Sequence, residues 1–258
     1  MFRSCGVFGA ALAALVLLLP AAAQARWLRG ESAHFIVYAN SGESTLRDYV
    51  QAIEDYDHLL RRMHGGAQLE EPGAKLEIYL INGAADLRQV FPEMKGQWAG
   101  VYTAGPDGVF AVAFKPSAYL GDTVVKHEYY HHFMWQNFPG GYPGWMVEGM
   151  AEFFSSTGRR GGGMIVGGPE PGQLEQLGVY GWIPLDELLS KTPFQFKSSM
   201  IGSYYAEAWL LTNYMMTDLE RRKQLIAYVG AVRGGEDSVK AWVDKVGEAP
   251  EVTQKKLH

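Results

Sequence analysis

The sequence predicts an α+β fold, with a sheet-forming N-terminal lobe and a helical C-terminal lobe. Two observations carry this reading. Before Pro116, short β-branched and aromatic runs alternate with turn residues, interrupted by one long helical pattern. Beyond it, apolar residues recur at three- and four-residue spacing, and glycines or prolines mark the breaks.

In order, His34 to Ala39 reads as the first strand, ended by Asn40-Ser41-Gly42. Leu46, Tyr49, Val50, Ile53, Tyr56, Leu60 and Met63 line one face of a helix, with Ser44 or Thr45 as its cap and Gly65-Gly66 as its stop. Lys75 to Ile81 alternates as a second strand, and Ala85 to Phe91 forms a short helix broken before Pro92. Trp98 to Thr103 and Val109 to Phe114 are two further strands, joined by hairpin chemistry at residues 104–108. That hairpin is either an ordinary sheet edge or an edge strand that holds an extended peptide through main-chain hydrogen bonds.

A helix capped by Asp122 or Thr123 then runs to Pro139-Gly140-Gly141, and a second extends from about Pro143 to Thr157. Residues 158–172 are glycine-rich, which suits a flexible flap or a plain surface loop. Helices over Gly202 to Thr217, Glu220 to Val232 and Ser238 to Val246 complete the chain.

The chemistry is concentrated in the first two of these later helices. His127-Glu128-Tyr129-Tyr130-His131 places two imidazoles four residues apart, on one helix face, where both can reach a single tetrahedral Zn²⁺. Glu148 follows 17 residues after His131 and supplies a third ligand, leaving a fourth position open. Zinc in such a site lowers the pKa of water toward ~7. Glu128 is then placed to accept a proton as water attacks a carbonyl, and to return it to the leaving amine. Glu152 lies one turn beyond Glu148 and is assigned the orienting hydrogen bond that metal-bound histidines usually make. Gly149, costly inside a helix, suggests close packing of its helix against the metal-binding one.

The other histidines are set aside. His132 points about 100° away from His131 and belongs to the core or an outer shell. His58 and His64 read as solvent-facing.

Composition narrows the function classes. Arg3, the apolar run Phe8 to Leu19 and the Ala23-Gln24-Ala25 ending resemble a signal peptide over residues 1–25, the alternative being a retained N-terminal anchor. Cys5 precedes the apolar run and would leave with it, so residues 26–258 contain no cysteine. Export without disulfides suggests a periplasmic or secreted bacterial protein. Removing residues 1–25 takes away one positive charge and no acid, moving the formal charge from −5 to −6. Nothing in that balance offers a nucleic-acid surface. No stable membrane span is expected after cleavage.

H-E-Y-x-H followed by W-x-x-E-G-x-A-E-F-F resembles the gluzincin branch of zinc metallopeptidases, specifically the bacterial peptidase-MA-like domains. The similarity is clearest over residues 123–157 and extends from Trp27 to about Met216. It implies a zincin-like domain over 26–258, divided into a sheet lobe with the active-site helix (26–142) and a helical lobe (143–258). It further implies one zinc per chain held by His127, His131 and Glu148, with Glu128 as catalytic base and a peptide or protein as substrate. Tyr205-Ala-Glu-Ala-Trp-Leu-Leu resembles the gluzincin helix whose tyrosine faces the metal. Tyr205 is therefore the candidate oxyanion stabiliser and Tyr204 the reserve, the alternative for either being a packed core tyrosine.

The pattern also departs from neighbouring groups. Met134 and Asn137 stand where a metzincin needs glycine and histidine. The G-x-M-E-N aminopeptidase motif and the N-E-x-x-S-D pattern of thermolysin-like enzymes are missing, and the chain ends at His258, where many relatives continue. A secreted zinc peptidase leads over two alternatives, a metal-keeping scaffold module and a zinc amidase acting on cell-wall peptides. A purely structural zinc has no use for Glu128.

Overall fold

The structure is a computed structural model that describes residues 27–65, 75–93, 100–105, 108–115, 121–169 and 173–258. The signal-like segment 1–25, Trp98-Ala99 and residues 170–172 of the glycine-rich stretch lie outside them.

Five strands form one sheet: β1 (Leu28–Glu31), β2 (Phe35–Ala39), β3 (Leu76–Ile81), β4 (Gly100–Gly105) and β5 (Gly108–Phe114), in the order β1-β2-β3-β5-β4. The three inner strands are parallel, and each edge strand is antiparallel to its neighbour. β2 buries Phe35, Val37 and Ala39 at alternate positions, and β3 buries Leu76, Ile78 and Leu80. Both therefore turn one face inward. β4 and β5 pair as the expected hairpin, with Gly105 opposite Gly108.

Helix α1 (Glu43–Met63) covers the sheet with the buried stripe Leu46, Tyr49, Ile53, Tyr56 and Leu60. Its start differs from expectation: Gly42 is the N-cap, and no side chain caps the helix. Met63 is 43% exposed. Leu60, one position earlier in the stripe, is still fully buried. The short helix α2 (Ala84–Val90) follows β3.

Helix α3 (Gly121–Asn137) lies on α1, and side-chain bonds fix its rotation. The Tyr56 hydroxyl donates to the Lys126 carbonyl at 3.1 Å, and the Tyr129 hydroxyl donates to Asp57 Oδ1 at 2.6 Å. Helix α4 (Gly144–Ser155) is anchored at its start by fully buried Trp145, whose indole N–H donates to the Tyr228 hydroxyl at 3.0 Å.

The glycine-rich stretch after α4 is not irregular throughout. It forms a hairpin of β6 (Gly158–Arg160) and β7 (Gly163–Ile165). Gly161 and Gly162 both have positive φ, as a two-residue hairpin turn matching the strand twist requires. Helices α5 (Gln173–Tyr180), α6 (Leu185–Ser190), α7 (Ile201–Met216), α8 (Leu219–Arg233), α9 (Ser238–Val246) and α10 (Pro250–Leu257) complete the helical part. One hydrophobic cluster runs from the sheet residues through α1, α3, α4 and α7 to α9. Among the described residues, no helix is long and apolar enough to cross a membrane.

Gly149 does mark a close helix approach, but to a different partner. A Cβ there would lie 2.3 Å from the Ala208 carbonyl oxygen and 2.4 Å from Thr212 Oγ1, both on α7. The reason is angular. Successive helical residues turn by 100°, so if Glu148 faces α3, Gly149 cannot. The glycine thus sets the distance between α4 and α7, the two helices that carry Glu148 and Tyr205.

Candidate metal centre

Three ligand-type atoms converge between α3 and α4. His127 Nε2 and His131 Nε2 stand 3.0 Å apart, and Glu148 Oε2 lies 3.3 Å from each. Four atoms placed tetrahedrally at 2.0–2.1 Å around one ion stand about 3.3 Å from each other. The triangle therefore has the size such an ion requires. Glu148 Oε2 is buried and accepts no well-formed hydrogen bond, an arrangement costly unless a cation shares the site.

Glu152 stands on the far side of His127 from Glu148. Its Oε1 is 3.1 Å from His127 Nδ1, which leaves Nε2 as the nitrogen facing Glu148 and His131.

The electrostatics match a site for positive charge. Burial opposes protonation of His127, but Glu148 and Glu152 outweigh it and lift the imidazole to about 10. Burial likewise opposes ionisation of Glu148, yet His127 and His131 hold its carboxyl at about 2.

Glu128 is half-buried beside the triad, and its charge reaches His127, Tyr102 on β4 and Tyr205 on α7.

The two tyrosine candidates separate cleanly. Tyr204 is fully buried, and its hydroxyl donates to the Lys191 carbonyl at 3.0 Å. Tyr205 is only partly buried, with its ring centroid 6.0 Å from that of His127, and the charge of Glu148 acts on its hydroxyl. Burial first, then the charges of Glu148, Glu152 and Glu128, push its ionisation well above the ordinary tyrosine range. It therefore stays a neutral donor at the site. Nearby on α7, burial raises the Glu207 carboxyl to about 7, against a hydrogen bond from the Ile183 N–H at 2.5 Å.

His132 is buried, as the 100° turn from His131 implies, and its Nδ1 pairs with the Tyr102 hydroxyl at 2.9 Å. This bond ties β4 to the histidine helix. His58 is exposed, but His64 is not solvent-facing. Its Nε2 is 3.1 Å from the Tyr130 hydroxyl, and its ring packs among Phe133, Phe138 and Phe154. His64 is the residue at the C-cap of α1, where the chain leaves the helix and helical spacing no longer predicts direction.

A second acidic-histidine group was not singled out from the sequence. His34, Glu54 and Asp57 are close enough to share a cation, but their oxygens are already engaged. Glu54 accepts from the His34 backbone N–H and pairs with His34 Nδ1, each at 2.8 Å. Asp57 accepts from Arg61 Nε at 2.7 Å and from Tyr129. We read it as the hydrogen-bond network that seats α3 on α1. Its signal was the acid-and-base spacing Asp57/Arg61 within one helix, which looks like an ordinary surface pair.

No protein-family model matches the chain, and no curated protein matches it.

Proposed function

We propose that this protein is an exported zinc-dependent peptidase that hydrolyses peptide bonds with Glu128 as general base. The observation that carries the reading is the convergence of His127 Nε2, His131 Nε2 and Glu148 Oε2 within 3.3 Å of one another, with the Glu128 carboxylate beside them. Two imidazoles and a carboxylate suit zinc, and three protein ligands leave room for water or substrate. When bound there, zinc supplies a Lewis acid that polarises a carbonyl and acidifies water.

The remaining work falls to the chain. Glu152 holds His127 in one ring orientation. Glu128 takes the proton from the attacking water and delivers it to the departing amine. The Tyr205 hydroxyl donates a hydrogen bond to the oxygen on which negative charge develops. β4 ends the sheet, so its outward main-chain groups can align an extended substrate, and the Tyr102–His132 bond holds that strand against α3. The resemblance to peptidase-MA-like gluzincins rests on the same residues and supports the same assignment.

The test is hydrolysis of casein and of a quenched peptide library by the zinc-loaded chain. Cleavage that stops with chelator and returns with added zinc is the expected result. Failure on every peptide, in protein that retains zinc, would overturn the peptidase reading in favour of a metal-keeping binding module.

A further inference from the structure

A cavity of about 450 Å³ lies beside the candidate metal centre, and His131 and Glu148 form part of its wall. The rest of its lining continues the histidine face of α3 toward the C-terminus, through Met134, Trp135 and Phe138, and meets Met146 and Met150 of α4. The segment from Pro139 to Tyr142, which joins the two helices, closes one side.

The two tyrosine hydroxyls in this lining are already used. The Tyr130 hydroxyl pairs with His64 Nε2 at 3.1 Å, and the Tyr142 hydroxyl donates to the Phe138 carbonyl at 3.1 Å. The charged lining residues, His131 and Glu148, belong to the ligand triad. A charged side chain entering the cavity would lose hydration, and the cation at its lip, Arg233, is already bonded to the Pro139 carbonyl and stacked on Tyr142. An apolar one would gain from burial.

The lip of the cavity is held in place from α8. Arg233 donates to the Pro139 carbonyl at 3.2 Å, and its guanidinium lies 5.0 Å from the Tyr142 ring centroid. Trp135, 79% exposed, stands on the same lining and is available to be covered by a ligand.

We infer that this cavity is the subsite for one large apolar side chain flanking the scissile bond, so that the substrates are peptides carrying leucine, methionine or phenylalanine there. The inference rests on the peptidase reading for the words scissile bond, and on the cavity itself for its chemistry. Three methionines in the lining favour a range of apolar shapes over a single residue, because thioether chains repack easily.

Two measurements on the full chain test it. In the first, cleavage sites in a mixed peptide library are mapped by mass spectrometry. Large apolar residues are expected at one position next to the cut, over aspartate by about 10²-fold. Gly141 lines the cavity, and a Cβ there meets no heavy atom within 4 Å. Gly141→Phe should fill the lip and lower the phenylalanine-to-alanine preference at least about 10-fold. In the second, Glu128→Gln protein carrying ¹³C-methyl methionine is titrated with N-acetyl-phenylalaninamide and with N-acetyl-aspartamide. The methyl signals of Met134, Met146 and Met150 should shift with the first and not with the second.

If no peptide is cut but the methyl signals respond selectively to the phenylalanine amide, the cavity assignment stands as an apolar-ligand site while the peptidase reading falls. If peptides are cut without apolar preference and the methyl signals stay still, the subsite is overturned and the peptidase reading survives. An unchanged preference in Gly141→Phe also overturns it.

Discussion

Glu128→Gln is expected to lower peptide-bond hydrolysis by about 10² to 10⁴ while the protein keeps its zinc. Glutamine preserves the size of the side chain and its half-buried packing but cannot take a proton from water. His127, His131 and Glu148 are untouched, so metal content should match wild type. The check is kcat/KM on a quenched peptide beside metal analysis of the same preparation. Undiminished turnover would remove Glu128 from the mechanism. Joint loss of zinc and turnover would make its role structural.

Tyr205→Phe is expected to lower turnover by roughly 10² to 10³, the effect of losing one oxyanion donor worth about 2.7–4 kcal/mol. Tyr204→Phe makes the contrast. The Tyr204 hydroxyl serves the Lys191 carbonyl at 3.0 Å, so its removal should cost about 1 kcal/mol of stability and appear in the melting temperature. Kinetics and thermal melting on the two variants separate the roles. A melting shift with full turnover in Tyr205→Phe would assign that residue to packing.

Much of the fold could be read from local patterns, because local patterns cause it. Alternation in Phe35–Ala39 and Leu76–Ile81 reflects strands buried on one face, and the spacing Leu46 to Leu60 reflects a helix laid on a sheet. β1 escaped notice because Leu28–Glu31 buries none of its side chains fully; it is held by pairing with β2 and by the Glu31–Lys75 ion pair at 2.7 Å. Helices α5, α6 and α10 have six to eight residues each, too few to repeat a pattern.

The candidate site was legible for a related reason. His127 and His131 share a face through helical geometry alone, and Glu148 with Glu152 repeats the same spacing on α4. What spacing cannot say is which neighbour a face meets. The partner of Gly149 proved to be α7 rather than α3, and His64 turned into an aromatic cluster beyond the end of its helix. Asp57 sits among charged helix residues in the sequence, yet it is 1% exposed beneath α3. Contacts of that kind arise between elements and leave no periodic trace.

The most direct measurement is zinc content, taken on protein purified without chelator and dialysed, for wild type and for His131→Ala. Circular dichroism on both keeps loss of folding apart from loss of a ligand. The expected result is one zinc per wild-type chain and almost none in folded His131→Ala. Equal zinc in the two proteins, or none in wild type after incubation with the metal, would contradict the assignment of His127, His131 and Glu148 as a zinc site.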